Sequence, residues 1–196
     1  MRVEASGELR GVSAAGRDEP PETAWLLAAQ AGDRAAFARL VEVYWPRLFR
    51  WLVHLTRDRH LAEDLAQETF LKALAHLDRF RAGTNFRAWL FRIGHNAFAN
   101  LHRSPGRRRA ALPDDLAASA PGPVEAACSR EQLRELAAAV EGLPTDFKAA
   151  LLLRVDEGLS FRQIAEVLET TEETARWRVF KARQKLMDKL EPEAGT

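Results

Sequence analysis

Eight arginines, Arg79, Arg81, Arg87, Arg92, Arg103, Arg107, Arg108 and Arg109, stand between positions 79 and 109 in a segment that holds no Asp or Glu. The segment carries +8 in a chain whose formal net charge is +1, so the remainder sums to −7. Phe80, Phe86, Trp89, Phe91 and Phe98 are interleaved with the arginines. Guanidinium groups neutralise phosphates and release counterions, and aromatic faces stack on unpaired bases, so this mixture is suited to nucleic acid. Phe91 and Phe98 are expected in a core beneath the cationic face. A second basic stretch, Arg176, Arg178, Lys181, Arg183, Lys185 and Lys189, follows Glu172 and Glu173. In this stretch Ala175, Val179, Ala182 and Leu186 step by four, three and four, which defines a buried stripe. Thr174, Arg176, Trp177, Phe180 and Lys181 then point elsewhere, and such a helix can lay Thr174, Arg176 and Lys181 on base edges and phosphates in a major groove. Trp177 has a second reading, as packing on the preceding helix. Glu173 either repels phosphate or accepts a hydrogen bond from a cytosine amino group.

The elements that would carry these groups are helical throughout. Residues 1–22 mix Gly, Ser, Pro and charges without periodicity and read as a disordered tail. Thr23 is placed to cap a short helix that Gly32 ends, and Asp33 to cap a second with Phe37, Leu40, Val41 and Tyr44 on one face. Pro46 is expected to end or kink that helix. From His60 to Leu77, Leu61, Leu65, Phe70, Leu71 and Leu74 lie mostly on one side, while Glu63, Asp64, Gln67 and Glu68 form an acidic, polar side. Arg79–Asn85 reads as a loop and Phe86–His102 as the next helix. Pro105, Pro113, Pro121 and Pro123 mark residues 104–124 as a linker. Beyond it, helices are expected over Glu125–Leu143, Asp146–Asp156, Phe161–Leu168 (capped by Ser160) and Glu172–Leu190 (capped by Thr171). The last two, joined by a tight turn at 169–171, outline a helix-turn-helix. The expected fold is therefore all-α, with two small helical domains at 23–103 and 125–190, a linker at 104–124 and short tails at 1–22 and 191–196.

Other chemistries find little support. Phosphate-binding glycine loops, nucleophile elbows and metalloprotease helices are missing from the sequence. His60, Glu63 and Asp64 share a helix face, but they form one small cluster, and His95 with His102 is two donors only. No enzyme activity, cofactor or metal is implied. With Cys128 as the only cysteine, an intrachain disulfide is excluded. The longest apolar run, Ala24–Ala29, is far short of the roughly 20 residues a membrane span needs, and no secretory signal is visible. A cytoplasmic protein is expected.

Several ordered motifs resemble one family. Ala62-Glu63-Asp64-Leu65-Ala66-Gln67-Glu68-Thr69-Phe70-Leu71-Lys72-Ala73 is similar to the second-region helix of bacterial sigma factors of the extracytoplasmic-function (ECF) class, the compact members of the sigma-70 family. Phe86-Arg87-Ala88-Trp89-Leu90-Phe91-Arg92-Ile93, with Asn96 and Arg103, resembles the family's promoter −10 segment. Leu143-Pro144, Leu151-Leu152-Leu153-Arg154, Glu157-Gly158-Leu159-Ser160, Gln163-Ile164-Ala165-Glu166 and Ala182-Arg183-Gln184-Lys185-Leu186 resemble its fourth-region helix-turn-helix, which reads the −35 element. The sequence departs from the pattern at Asn100, where an acid is common, at Glu169 in place of a turn glycine, and at Glu173 and Trp177 in the recognition helix. Because a non-glycine residue in a left-handed turn costs on the order of 1 kcal/mol, Glu169 predicts a somewhat different turn.

The resemblance implies an alternative sigma factor with core RNA polymerase, promoter DNA and an anti-sigma factor as partners. It assigns polymerase binding to Glu63, Asp64, Gln67, Glu68, Phe70 and Leu71. It assigns the −10 DNA to Arg79, Arg81, Asn85, Arg87, Trp89, Arg92, Asn96, Asn100 and Arg103, and the −35 DNA to Arg162, Thr174, Arg176, Trp177, Arg178, Lys181 and Arg183. The competing readings are a dimeric helix-turn-helix regulator that binds a palindrome without polymerase, an inhibitor that binds polymerase without initiating, and a metal enzyme.

Overall fold

A computed structural model of the chain describes residues 21–81, 84–103 and 130–190. All regular structure among them is helical: α1 (Pro21–Gln30), α2 (Arg34–Thr56), α3 (Arg59–Ala75), a 3₁₀ turn (Leu77–Arg79), α4 (Phe86–Arg103), α5 (Arg130–Glu141), α6 (Thr145–Val155), α7 (Phe161–Val167) and α8 (Glu172–Leu190). The linker, the C-terminal tail and residues 1–20, together with Arg107, Arg108, Arg109 and Cys128, lie outside the described residues, while Pro21 and Glu22, read from composition as the end of a disordered tail, are helical in α1.

Local chemistry sets most of the boundaries. The Asp33 side chain accepts from the amides of Ala35 and Ala36 to start α2, and Asp58 accepts from Leu61 to start α3. Ser160 and Gln163 form a reciprocal capping box on α7. Thr171 accepts from the Thr174 amide to start α8. Two expectations are corrected. Thr23 sits inside α1, which begins at Pro21, a residue pre-set for a first helical turn. Pro46 neither ends nor divides α2, which runs through it for 23 residues. Buried Tyr44, Leu48, Trp51 and Leu52 hold both halves of α2 against the same core, and that packing outweighs the one backbone bond the proline removes.

In the first half of the chain, α1, α2, α3 and α4 enclose a core with a large aromatic share. Phe86 meets Tyr44 edge-on at 5.4 Å and Phe80 at 5.5 Å, and Trp51 meets Phe91 at 5.3 Å. Phe91 and Phe98 are buried, as expected. The backbones of α2, α3 and α4 approach closely where Gly94 faces Leu48 and Thr69, and a β-carbon there would lie 3.0 Å from Leu48 Cδ1. In the second half, α6, α7 and α8 pack around Leu153, Leu159, Ile164, Val167, Ala175, Val179 and Ala182, and α5 lies against α8. The stripe expected on α8 is buried at Ala175, Val179 and Ala182 and partly buried at Leu186.

The turn between α3 and α4 is held by a contact that periodicity does not reveal. Gln30 Nε2, at the end of α1, donates to the carbonyl oxygens of Leu77 (2.9 Å) and Phe80 (2.6 Å). Gln30→Ala would leave both partly buried carbonyls without this donor, a loss of about 1–3 kcal/mol. The expected outcome is a lower urea midpoint with an unchanged m-value, measured by circular dichroism.

Candidate nucleic-acid and polymerase interface

The cationic helix α4 divides its residues between two tasks. Phe86, Leu90, Phe91, Ala97 and Phe98 are buried, while Arg92 and Asn100 are exposed and Arg87, Trp89 and Asn96 are half-buried. The entry to the helix is built by side chains. Thr84 Oγ1 donates to the Arg81 carbonyl (2.8 Å), and Asn85 Oδ1 accepts from the Ala88 amide (3.2 Å). Asn85 is thus both exposed and the cap that orients α4. Trp89 lies 5.3 Å from Phe80 and 5.7 Å from Phe86, so one part of its ring is anchored and the rest faces solvent. Arg79 and Arg81 are exposed just before the turn, and Arg103 is the last residue of α4.

On α3, Glu63, Asp64, Gln67 and Glu68 form a solvated face, joined by Leu71 at 69% exposure. Glu68 is paired with Lys72 at 2.5 Å. Phe70 departs from its expected place. It is 5% exposed and stacked 5.8 Å from Trp45, so it supports this face from the core and is not part of the surface.

In the helix-turn-helix, Glu169 takes φ +50°. The left-handed turn is therefore kept without glycine, and the expected change of turn is corrected. The amide of Thr170 donates to the Ala165 carbonyl (3.0 Å) and helps close the turn. Along α8, Arg176 pairs with Glu172 (3.1 Å) and lies 5.2 Å from the Phe161 ring centre. Trp177 is 51% exposed and meets Phe147 of α6 edge-on at 5.4 Å, so it packs on α6 and not on the preceding helix α7. Thr174 is half-buried, Lys181 reaches Gln184 Oε1 (3.0 Å), and Arg183 is exposed. Arg178 is tied to Asp146 (2.9 Å), which fixes α8 to α6. Arg162 stands apart from this face. It lies on α7, next to Glu166 (3.9 Å), and lines a cleft of about 710 Å³ with Arg87, Trp89 and Arg92 of α4.

The residues missed in the sequence are those that join the two halves. Glu157 is 4% exposed, with its carboxylate 2.9 Å from Arg47 Nη2 and 3.6 Å from Arg87 Nε, and its carbonyl accepts from Arg87 Nη1. Burial pushes the Glu157 carboxyl above its ordinary value, against the pull of Arg47 and Arg87. Lys148, 1% exposed, donates to Glu141 Oε2 (2.7 Å), to the Glu141 carbonyl (3.1 Å) and to the carbonyl of His54 (3.1 Å). Burial lowers its ammonium while Glu141 opposes that shift. Glu141 also accepts from His54 Nδ1, and its Oε2 lies 3.7 Å from Arg57 Nε. The signal for these contacts was present only as charged residues at positions that periodicity leaves on the surface.

Sequence and structural likenesses decide among the competing readings. The description of sigma-70 region 2 matches residues 40–108 and that of sigma-70 region 4 matches residues 133–186. The ECF RNA polymerase sigma factor SigE of Mycolicibacterium smegmatis is 37% identical over 180 residues, covering 88% of this chain and 69% of the relative. The chain belongs to the ECF sigma factors of the sigma-70 family. The RNA polymerase sigma-H factor of Pseudomonas aeruginosa is 34% identical, over 83% of this chain and 90% of its own length. Among solved structures, CnrH in complex with the cytosolic domain of CnrY has 28% identity and a TM-score of 0.64 over 89% of this chain and 99% of that one. The sigma factor RpoE of Bartonella quintana, in complex with the anti-sigma factor NepR, has the same identity and TM-score over 80% and 98%. This ECF sigma factor is accordingly a DNA-binding regulator that directs promoter-specific transcription by RNA polymerase. No helix among the described residues is long and apolar enough to cross a membrane.

The charged junction gives a pH signature. Burial alone would raise Glu141, but hydrogen bonds from His54 and Lys148 outweigh it and hold the carboxyl at about 2, below its ordinary 4.5. A depressed carboxyl contributes stability above the unfolded value and loses it as pH falls toward the folded one. The difference in unfolding free energy between wild type and Glu141→Gln should therefore be largest above pH 4.5 and shrink between 4.5 and about 2. Urea titrations across that range measure it.

Proposed function

We propose that residues 23–103 form the region-2 domain and residues 125–190 the region-4 domain, joined by a linker at 104–124. The acidic, partly apolar face of α3, with Glu63, Asp64, Gln67, Glu68 and Leu71, docks on core polymerase while Phe70 holds it from below. The α4 face and the turn before it bind the −10 element. Arg79, Arg81, Arg87, Arg92 and Arg103 meet the backbone, and Asn85, Trp89, Asn96 and Asn100 meet bases. Opening a duplex costs about 1.4 kcal/mol per base-pair step, so the separated strand must be held, and arginines beside a half-exposed tryptophan supply charge and a stacking face. The −35 element is read by α8, with Thr174, Arg176, Trp177, Lys181 and Arg183 at the groove, Arg178 as the tie to α6, and Arg162 near the backbone. The reading rests above all on one juxtaposition: a single chain joins an arginine-aromatic helix to a helix-turn-helix, with an acidic face beside the first. The protein acts in the cytoplasm, catalyses no reaction itself and needs no cofactor. An anti-sigma partner is supported by the complexes in which CnrH and the Bartonella RpoE were solved.

Run-off transcription with core polymerase and a panel of promoter fragments tests this reading, and transcripts that depend on the added chain are expected. Core binding without transcripts would indicate an inhibitor, and tight palindrome binding without core a simple regulator. Arg92→Ala and Arg103→Ala should reduce open-complex formation about tenfold or more while core affinity stays within about twofold, consistent with 1–3 kcal/mol per contact. Lys181→Ala should weaken promoter binding at all −35 sequences alike and lower the slope of log K against log salt by about 1, measured by fluorescence anisotropy.

A further inference from the structure

We infer that Gln30 is a positioning residue for capture of the −10 strand: by fixing the Phe80 carbonyl it sets where the Phe80 ring, and with it Trp89, is held. The inference rests on the proposed assignment of Trp89 and α4 to the −10 element. Gln30 is the last residue of α1 and is half-buried. Its Nε2 donates to the carbonyl oxygens of Leu77 (2.9 Å) and Phe80 (2.6 Å), across 47 and 50 positions of sequence. Those two carbonyls bracket the 3₁₀ turn, and that of Leu77 also accepts from the Phe80 amide (3.1 Å). At Phe80 the backbone leaves the turn, with φ −70° and ψ +125°. Each residue has only two soft backbone dihedrals, so a carbonyl held from outside the turn fixes ψ at the point where the chain heads toward Arg81.

Phe80 passes this placement on. Its side chain is buried, meets Phe86 edge-on at 5.5 Å and lies 5.3 Å from the ring of half-buried Trp89. Trp89 therefore rests on one ring that belongs to the core and on another whose backbone is tied to α1. Helix α1 can serve as a fixed reference because Leu26 and Ala29 are buried and Trp25 packs partly on the same core. The opposite end of α1 meets the same region, where Glu22 and Thr23 line the cleft with Thr84, Asn85, Arg87 and Trp89. No role carried over from the family falls on α1, and the stretch that matches sigma-70 region 2 begins at residue 40. A ring that is in place before the base arrives binds it without the cost of being ordered at that moment. Gln30 would supply that order from about fifty residues away in sequence.

Holoenzyme assembled from core polymerase and the full chain is titrated onto a fluorescent single-stranded oligonucleotide, the non-template −10 strand of a promoter found by run-off, and anisotropy reports binding. Gln30→Ala should weaken binding about fivefold or more, part of what stacking one base on an aromatic ring supplies. Affinity for core polymerase should stay within about twofold, since the α3 face shares no contact with Gln30. In a Trp89→Ala background the same substitution should cost less than about twofold, because residues in one network do not act additively. Circular dichroism establishes folding, and Gln30→Met, which keeps the length and removes the donor, serves if Gln30→Ala is unfolded. Equal losses with and without Trp89 overturn the positioning role, as do unchanged oligonucleotide affinity or parallel losses of core and oligonucleotide binding. The −10 assignment fails separately if Trp89→Ala and Arg92→Ala both leave oligonucleotide affinity untouched.

Discussion

Everything in the region-2 half depends on α4 being core and cationic surface at once. A helix buries one face about every 3.6 residues, so Phe86, Leu90, Phe91, Ala97 and Phe98 can be enclosed while Arg92 and Asn100 stay outside. The cost of bringing positive charges together falls on the exposed side, where water screens Arg79, Arg81 and Arg92. The buried side must then be strongly held, and the aromatic contacts of Tyr44, Phe80, Trp51 and Phe86 supply that anchorage. Gly94 lets the anchored helix sit close to α2 and α3. The face proposed for the −10 element is therefore positioned by rigid core, whereas the turn before it is tied down by Gln30 and Thr84.

Opposite charges hold the junction, although of the cations there only Arg87 belongs to the 79–109 segment. With +8 concentrated between residues 79 and 109 and the rest of the chain at −7, carboxylates of the second half are attracted to the first even without DNA. Glu157 and Glu141 are the two that become at least partly buried there, and each is met by more than one cation. A buried ion pair contributes little net stability, because desolvation offsets attraction. It does select one docking geometry, since a misplaced domain would leave Lys148 or Glu157 buried and uncompensated. Charge complementarity of this kind gives specificity more than strength.

How much was legible in the sequence follows from what each signal depends on. Helix starts at Asp33, Ser160 and Thr171 depend on near neighbours and were readable from them. The α8 stripe was readable because apolar spacing is periodic. Pro46 did not end α2 because packing along the helix outweighs the lost backbone bond, and Phe70 misled because a family motif does not say which of its residues face inward. Glu169 misled for a related reason: the fold keeps its left-handed turn and tolerates the side chain's cost. Arg47–Glu157 and Lys148–His54 join residues about a hundred positions apart, and no spacing rule connects them.

The two helices proposed to read DNA offer it different physics. On α8 the cations are partly spent within their own domain, Arg176 on Glu172 and Arg178 on Asp146, so this helix offers shape and a few polar contacts. On α4, Arg92 is free of any ion pair found among the described residues, and Arg87 pairs with Glu157 across the junction. The stronger attraction for phosphate therefore lies in the half that carries α4.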